Sequence, residues 1–192
     1  MLKKPNAILF DLDGTLLDTA RDLGNALNQI LTKLSRPTVA YEVYRNIASD
    51  GAKGMLELGF GDDLKKFDFD TLRQQFLDYY QNNICVDTDY FVGVESLLLT
   101  LNQNSIPWGI VTNKPEFLTL QLVTSFPLLQ NCKVIISGDT LSKRKPHPFP
   151  LLYAEERLAI TSPNTWYIGD AERDIQAANS ANMVSVIAQY GY

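Results

Sequence analysis

Cysteine is scarce. Cys85 and Cys132 are the only two in 192 residues. They lack the local spacing of a metal knuckle or a disulfide framework, and they read as two reduced thiols of an intracellular protein. Long apolar runs are missing too: no stretch is long enough to cross a bilayer. Lys3 and Lys4 precede an apolar segment, but it ends at Asp11. That is too short for the core of a signal peptide, and no small-residue cleavage site follows. A cytoplasmic location and no membrane partner are therefore expected. No basic patch offsets the acidic balance, in which 17 Lys and Arg face 22 Asp and Glu for a net charge of -5. A nucleic-acid partner is accordingly not expected. There is no internal repeat and no low-complexity linker. What remains is a chain with 45% apolar and 20% charged residues, ordinary for a soluble globular protein of one or two domains.

The segment Asp11 to Thr19 (Asp-Leu-Asp-Gly-Thr-Leu-Leu-Asp-Thr) organises the rest. The short apolar run Ala7-Ile8-Leu9-Phe10 before it predicts a buried strand. Asp11 and Asp13 fall where that strand ends, two residues apart, so both acids can face one point. Gly14 and Thr15 then turn the chain away. Two like charges aimed at one point repel unless a cation or a proton is shared. This stretch alone fits a metal site containing a nucleophile, and it fits equally a strand ending in a polar turn.

Beyond the turn, Leu23, Ala26, Leu27, Ile30, Leu31 and Leu34 form one helical stripe, stopped at Arg36-Pro37. Thr38 is expected to cap a second helix through Val43, Tyr44 and Ile47. Ser49 to Gly54 reads as a glycine-flanked turn carrying Lys53, and Met55 to Leu58 as a short helix. Gly59 to Asp63 breaks it, and Leu72, Phe76, Tyr79 and Tyr80 mark another helix. No strand is expected between Ala20 and about Val86. From Phe91 onward strands alternate with helices. Strands are expected at 108–111, 134–136, 166–168 and 184–187, and helices at 94–102, after Pro115, at 149–158 and at 175–182. This alternation predicts an α/β fold with a doubly wound parallel sheet. The helical segment reads as a small all-helical insertion just after the first strand, so residues 1–18 and 88–192 would form the core and 19–87 the insertion. Ligands of such sheets bind beyond the carboxyl ends of the strands. Those ends carry Asp11 and Asp13, then Thr112 and Asn113, then Lys145 in Lys143-Arg144-Lys145-Pro146-His147-Pro148, then Asp170 with Asp174 four residues on.

That set, in that order, resembles the haloacid dehalogenase superfamily of phosphohydrolases, and within it the phosphoglycolate phosphatase branch with a helical cap. The matching segments are Phe10-Asp11-Leu12-Asp13-Gly14-Thr15-Leu16, Val111-Thr112-Asn113-Lys114-Pro115, Gly138-Asp139-Thr140 with Arg144-Lys145-Pro146-His147-Pro148, and Tyr167-Ile168-Gly169-Asp170 with Asp174. The resemblance covers essentially the whole chain. It implies that Asp11 attacks phosphorus to form an aspartyl-phosphate and that Asp13 is the proton donor and acceptor. Thr112 and Asn113 would hydrogen-bond the phosphoryl oxygens, and Lys145 would neutralise them. Mg²⁺ would be held by Asp11, the backbone carbonyl of Asp13, and Asp170, with Asp174 in the outer shell. Asp174 could instead cap a helix. Lys53 is the cap residue expected to bind substrate, although a solvated lysine fits as well. Lys114 and Arg144 read as surface charges, His147 as a shaper of the Lys145 loop, and Tyr79 and Tyr80 as cap core. Relatives often carry proline where Val92 stands, and they usually continue past the point where this chain stops.

The implied activity is Mg²⁺-dependent hydrolysis of a small phosphorylated metabolite, phosphoglycolate first. N-acetylmuramic acid 6-phosphate or another sugar phosphate is the alternative, on the likeness of Asp50 to Met55 and Trp108 to Val111. A phosphosugar mutase is the weaker rival. A dehalogenase would lack Asp13, and a non-catalytic binding module has no chemical need for the full set. A monomer or weak homodimer is expected.

Overall fold

The computed structural model describes residues 4–160 and 164–192; Lys3 lies outside them. In chain order the elements are β1 (Ala7–Phe10), β2 (Leu17–Asp18), α1 (Ala20–Lys33), α2 (Tyr41–Tyr44), α3 (Gly51–Phe60), α4 (Phe69–Asn82), β3 (Asp89–Tyr90), α5 (Val94–Gln103), β4 (Trp108–Val111), α6 (Glu116–Ser125), β5 (Ile135–Ile136), α7 (Phe149–Leu158), β6 (Thr165–Gly169), α8 (Glu172–Ser180) and β7 (Val184–Ile187). Single 3₁₀ segments follow α2, α3 and α6. The chain divides into two compact units. One comprises the segment ending at Leu17 together with Tyr90–Gly191; the other comprises Asp18–Asp89 with Tyr192.

The first unit is built on a five-stranded sheet in the order β5-β4-β1-β6-β7. Every pairing in it is parallel. The sequence explains why β1 is central. All four of its residues are buried, as are the four of β4, which suits strands covered on both faces. Leu9, Val111, Ile136 and Tyr167 pack with Leu151 and Ala154 of α7, with Ala177 and Ala178 of α8, and with Ala181 and Met183. The alternate residues Phe10 and Trp108 meet edge to face, ring centroids 6.2 Å apart. The Trp108 indole N–H donates to Asn102 of α5 at 2.9 Å. From β1 the chain builds outward through β4 and β5, then returns to the other side of β1 for β6 and β7. The order thus reverses at β1, and the carboxyl ends of β4, β1 and β6 come to lie side by side.

The second unit is helical apart from two-residue strand ends. The α1 stripe holds from Leu23 to Leu31: Leu23, Ala26, Leu27, Ile30 and Leu31 are buried, whereas Leu34, read as its last member, lies just past the helix and is exposed. Met55, Leu56, Phe60, Leu72, Phe76, Leu77 and Tyr80 complete its interior. The Arg36 guanidinium pairs with Asp63 at 3.2 Å and lies over the Phe60 ring. The Tyr192 hydroxyl donates to Asp18 Oδ1 at 2.8 Å and accepts from the backbone N–H groups of Thr19 and Ala20, which closes the open start of α1. The carboxylate of Asp22, also buried, accepts from the N–H groups of Val86, Asp87 and Thr88 and from the Thr88 hydroxyl, at 2.6–3.1 Å for its shortest contacts. One side chain thereby ties the segment leading out of this unit back to α1.

Some local expectations are corrected. Thr38 caps nothing: α2 starts at Tyr41 behind an extended Ala40, with no side-chain cap. Ser49 to Gly54 is no free turn. A 3₁₀ segment runs to Asp50 and α3 starts at Gly51, so Lys53 sits in the first turn of a helix. The two-residue strands β2 and β3 pair with each other, and they are too short to carry a sequence period.

Asp22→Ala would strip an anionic acceptor from several backbone donors at once. With charged hydrogen bonds contributing about 1.5–3 kcal/mol each and no full additivity, an overall loss of about 2–4 kcal/mol is expected. Urea denaturation followed by circular dichroism checks it, with Asp22→Asn, which keeps one carbonyl oxygen, losing less.

Candidate active site

The site lies entirely in the first unit, at the carboxyl end of β1. Asp11 follows directly on that strand. Its N–H donates to Ile168 O of β6 at 2.9 Å, and its Oδ1 accepts from Leu12 N at 2.8 Å. Asp170 follows β6, and Asp174 stands in the first turn of α8. One carboxylate oxygen from each of Asp11, Asp170 and Asp174 lies within 4.8 Å of the other two. Three hard oxygen donors converging at the strand ends are a donor set that suits a divalent cation.

Gly14 lets the acids approach. Its φ is +77°, which favours glycine. A Cβ there would stand 2.2 Å from Asp170 Oδ2. The chain turns at this point through Gly14 N–H to Leu17 O, 3.0 Å, and the Thr15 hydroxyl donates to Asp170 Oδ1 at 3.3 Å.

Lys145 supplies the local positive charge. Its side chain is fully buried, and its ammonium contacts Asp11 Oδ2 at 3.0 Å, Asp174 Oδ1 at 2.7 Å and the Tyr167 hydroxyl at 2.8 Å. Three partners match the three N–H bonds of an ammonium. The Tyr167 hydroxyl donates onward to Val111 O at 2.8 Å. Burial, and then the neighbouring Asp174 and Asp11 carboxylates, push the Tyr167 phenol well above its usual range, so it stays a donor. Burial likewise pushes Asp11 up to about 6; Lys145 pulls it down, and Asp174 and Asp170 push it up further. A cluster of three acids with one ammonium at its centre remains rich in negative charge.

Asp174 caps a helix, as one of the two readings of it expected, and it also pairs with Lys145. Oδ2 accepts from Ala171 N–H at 3.0 Å, a cap at the start of α8, while Oδ1 faces Lys145. Thr112 extends β4 through its N–H to Ile136 O at 2.9 Å. Its hydroxyl oxygen accepts from Lys114 N–H at 3.2 Å. The Asn113 amide is committed at both ends to the backbone of Lys145, donating to its carbonyl at 2.9 Å and accepting from its N–H at 3.1 Å. His147 is exposed and its Nδ1 accepts from Phe149 N–H at the start of α7. Arg144 is exposed. Lys53 belongs to the helical unit, exposed, 3.7 Å from Glu57 one turn on.

Two findings depart from the sequence expectations. Asp11 and Asp13 do not share one point. Asp13 lies beyond the strand, its carboxylate outside the acid cluster, and both of its oxygens are held by Lys114 Nζ at 3.0 and 3.1 Å. Lys114 is therefore no surface charge; its side chain is 5% exposed. Tyr167 is the second missed residue. It reads as strand interior, and nothing in its local sequence signals the contact to Lys145.

Lys145→Met would leave Asp11 and Asp174 buried without their cation, at an expected cost of about 3–5 kcal/mol in the metal-free protein near pH 7.5. The pH dependence has a definite sign. Asp11 already binds its proton up to about pH 6, and removing the ammonium that pulls it down raises that value further. Protonation then relieves the variant more than the parent as pH falls. The gap between the two denaturation midpoints should narrow between pH 7.5 and pH 5.

The chain is similar to known proteins in sequence and in fold. A sequence model of the haloacid dehalogenase-like hydrolases matches residues 8–188. A phosphoglycolate phosphatase of Xanthomonas campestris pv. campestris is 41% identical over 100% of this chain and 86% of its own length. An N-acetylmuramic acid 6-phosphate phosphatase of Pseudomonas aeruginosa is 34% identical over 97% of this chain and 82% of its own. The crystal structure of a predicted phosphoglycolate phosphatase from Haemophilus somnus superposes with a TM-score of 0.89 at 27% identity, covering 100% of this chain and 88% of that one. The family match spans both the acid cluster and the Lys145 loop, and the chain belongs to the haloacid dehalogenase-like hydrolases.

Proposed function

We propose that this hydrolase is a Mg²⁺-dependent phosphomonoesterase working through an aspartyl-phosphate, with phosphoglycolate as its leading substrate. The observation that carries the chemistry is the pairing of two unlike acids at the end of β1. Asp11 is buried among Asp170, Asp174 and Lys145, while Asp13 stands apart with a cation of its own.

In the first half-reaction an Asp11 carboxylate oxygen attacks phosphorus, the ester P–O bond breaks, and Asp13 gives its proton to the departing alkoxide. In the second half a water oxygen attacks the same phosphorus, Asp13 takes that water's proton, and the bond to Asp11 breaks to release inorganic phosphate. Mg²⁺, held by Asp11, Asp170 and the Asp13 carbonyl with Asp174 behind them, would offset the charge of the acids and of the phosphoryl group. Thr112 keeps its hydroxyl proton to offer a phosphoryl oxygen. The Asn113 side chain instead places Lys145, so the Asn113 donor available to substrate is its backbone N–H. Lys145 acts mainly through its charge, since a direct contact with phosphate requires it to give up one of its three partners. Lys53 is the substrate contact assigned to the helical unit.

Phosphoglycolate is favoured by the 41% identical relative of that name. The sugar-phosphate reading is kept on the 34% identical N-acetylmuramic acid 6-phosphate phosphatase. A panel of small phosphorylated metabolites assayed for inorganic phosphate with and without Mg²⁺ separates them. Sugar phosphates turned over with phosphoglycolate untouched would overturn the leading substrate, and failure to release phosphate at each turnover would favour a mutase. Asp11→Asn should abolish turnover, chelation should do so reversibly, and Lys53→Ala should raise KM. Metal binding supplies a readout apart from activity. Because Asp11 must lose its proton to bind a cation, the affinity for Mg²⁺ measured by calorimetry should weaken as pH falls through about 6.

A further inference from the structure

We infer that Lys114 is a positioning residue for the leaving-group chemistry: it fixes the carboxylate of Asp13 in the orientation from which a proton reaches the departing oxygen. The inference rests on the reading of Asp13 as proton donor and extends it to a residue outside that reading.

The grip is two-pointed. Lys114 Nζ lies 3.0 Å from Asp13 Oδ1 and 3.1 Å from Oδ2. A cation held equally by both oxygens sets the plane of the carboxylate and the rotation of its stem. A carboxyl group offers about four lone-pair positions on its two oxygens, so the contact with one ammonium does not by itself use every position at which a proton can sit. Proton transfer tolerates little misplacement, because donor and acceptor must come within about 2.6–3.2 Å.

The lysine is itself held in place. Its N–H donates to the Thr112 hydroxyl oxygen at 3.2 Å, and its carbonyl accepts from Gly138 N–H at 2.8 Å. Gly138 can approach so closely only without a side chain, since a Cβ there would lie 2.1 Å from Asn113 O. Pro115 follows directly and leads into α6. The backbone that launches Lys114 is therefore set by the same turn that presents Thr112 and Asn113. An ammonium buried to this degree needs a partner to offset its lost hydration. A lysine placed only for solubility would point outward from this turn, as Arg144 does in the neighbouring loop.

The test uses the full-length enzyme with Mg²⁺ and two substrate types under single-turnover conditions, so that only the first half-reaction is read. Phosphoglycolate releases an alkoxide that needs a proton; p-nitrophenyl phosphate releases a phenolate that leaves without one. Lys114→Met should slow leaving-group release from phosphoglycolate by about 10–100-fold, part of the 10²–10⁴-fold that general acid catalysis contributes. Release from p-nitrophenyl phosphate should stay within about threefold, and KM should change little, since binding is not the interaction removed. Lys114→Arg, which keeps the cation, should recover part of the loss, and Lys114→Gln repeats the measurement should the Met variant not fold. Equal losses on both substrates, or none, would overturn the inference, because a merely structural role lowers both alike. Asp13→Asn is the control: if it shows the substrate selectivity and the Lys114 variants do not, the inference alone fails. If Asp13→Asn shows no selectivity, the assignment of Asp13 as proton donor fails and the inference falls with it.

Discussion

Three carboxylates brought within 4.8 Å of one another at the end of a buried strand are the constraint on which the core depends. Such a cluster is unfavourable in isolation, because like charges in a poorly solvated place repel and each resists ionisation. Lys145 answers part of the problem with all three of its N–H bonds, two to the acids and one to Tyr167. Much of the neighbouring structure can be understood as holding that ammonium still. Asn113 clasps its backbone from β4, and Tyr167 is anchored in turn on the Val111 carbonyl. The sheet order supplies the geometry, since β4, β1 and β6 are adjacent only because the chain reverses direction across β1.

How much of this was legible beforehand follows from how local each signal is. Short apolar runs ending in polar residues are local, so β1, β4, β6 and β7 were found close to where they stand, and α7 matched at both ends. The acids were legible because they follow those runs directly. The roles of Lys114 and Asn113 were not, since they depend on partners 101 and 32 residues away. A lysine between an asparagine and a proline carries no mark of being buried. Tyr167 was hidden for the opposite reason: an aromatic in a strand is expected to be core, and it is core, with a hydroxyl that happens to meet the site. In the helical unit Thr38 had the chemistry of a cap without the position, because a hydroxyl caps only when the chain turns at that residue. Ser49 to Gly54 misled through its two glycines. Only Gly51 marks a break, with φ at +63°, while Gly54 lies inside α3.

The glycine and the helix cap near the acids show how the backbone accommodates the cluster. Gly14 gives Asp170 room that any side chain would take away. Asp174 is at once an N-terminal cap and a member of the acid cluster, and the two uses support each other. A carboxylate in the first turn of a helix is favoured by the open N–H groups and the helix dipole, so part of the cost of placing a third acid here is met by α8 itself. The alternative of a cap without chemistry and the alternative of chemistry without a cap were never exclusive at that position.

The two acids that follow β1 illustrate how a step of two residues yields two different surroundings. On an ideal strand Asp11 and Asp13 would share a face and compete for the same surroundings. The strand ends at Phe10, the chain turns at Gly14, and each acid acquires its own lysine: Lys145 for Asp11 and Lys114 for Asp13. Asp11 stays among carboxylates, where a cation is needed. Asp13 is drawn out of the cluster to a lysine of its own. The proposed mechanism asks a nucleophile and a proton carrier to differ in environment, and the two acids do differ, through two lysines that follow two different strands. The division also explains why the turn after β4 is so closely tied by hydrogen bonds. In the proposed mechanism a shift of Lys114 by an ångström would carry the Asp13 carboxyl with it, and for a proton donor misplacement of that size is costly.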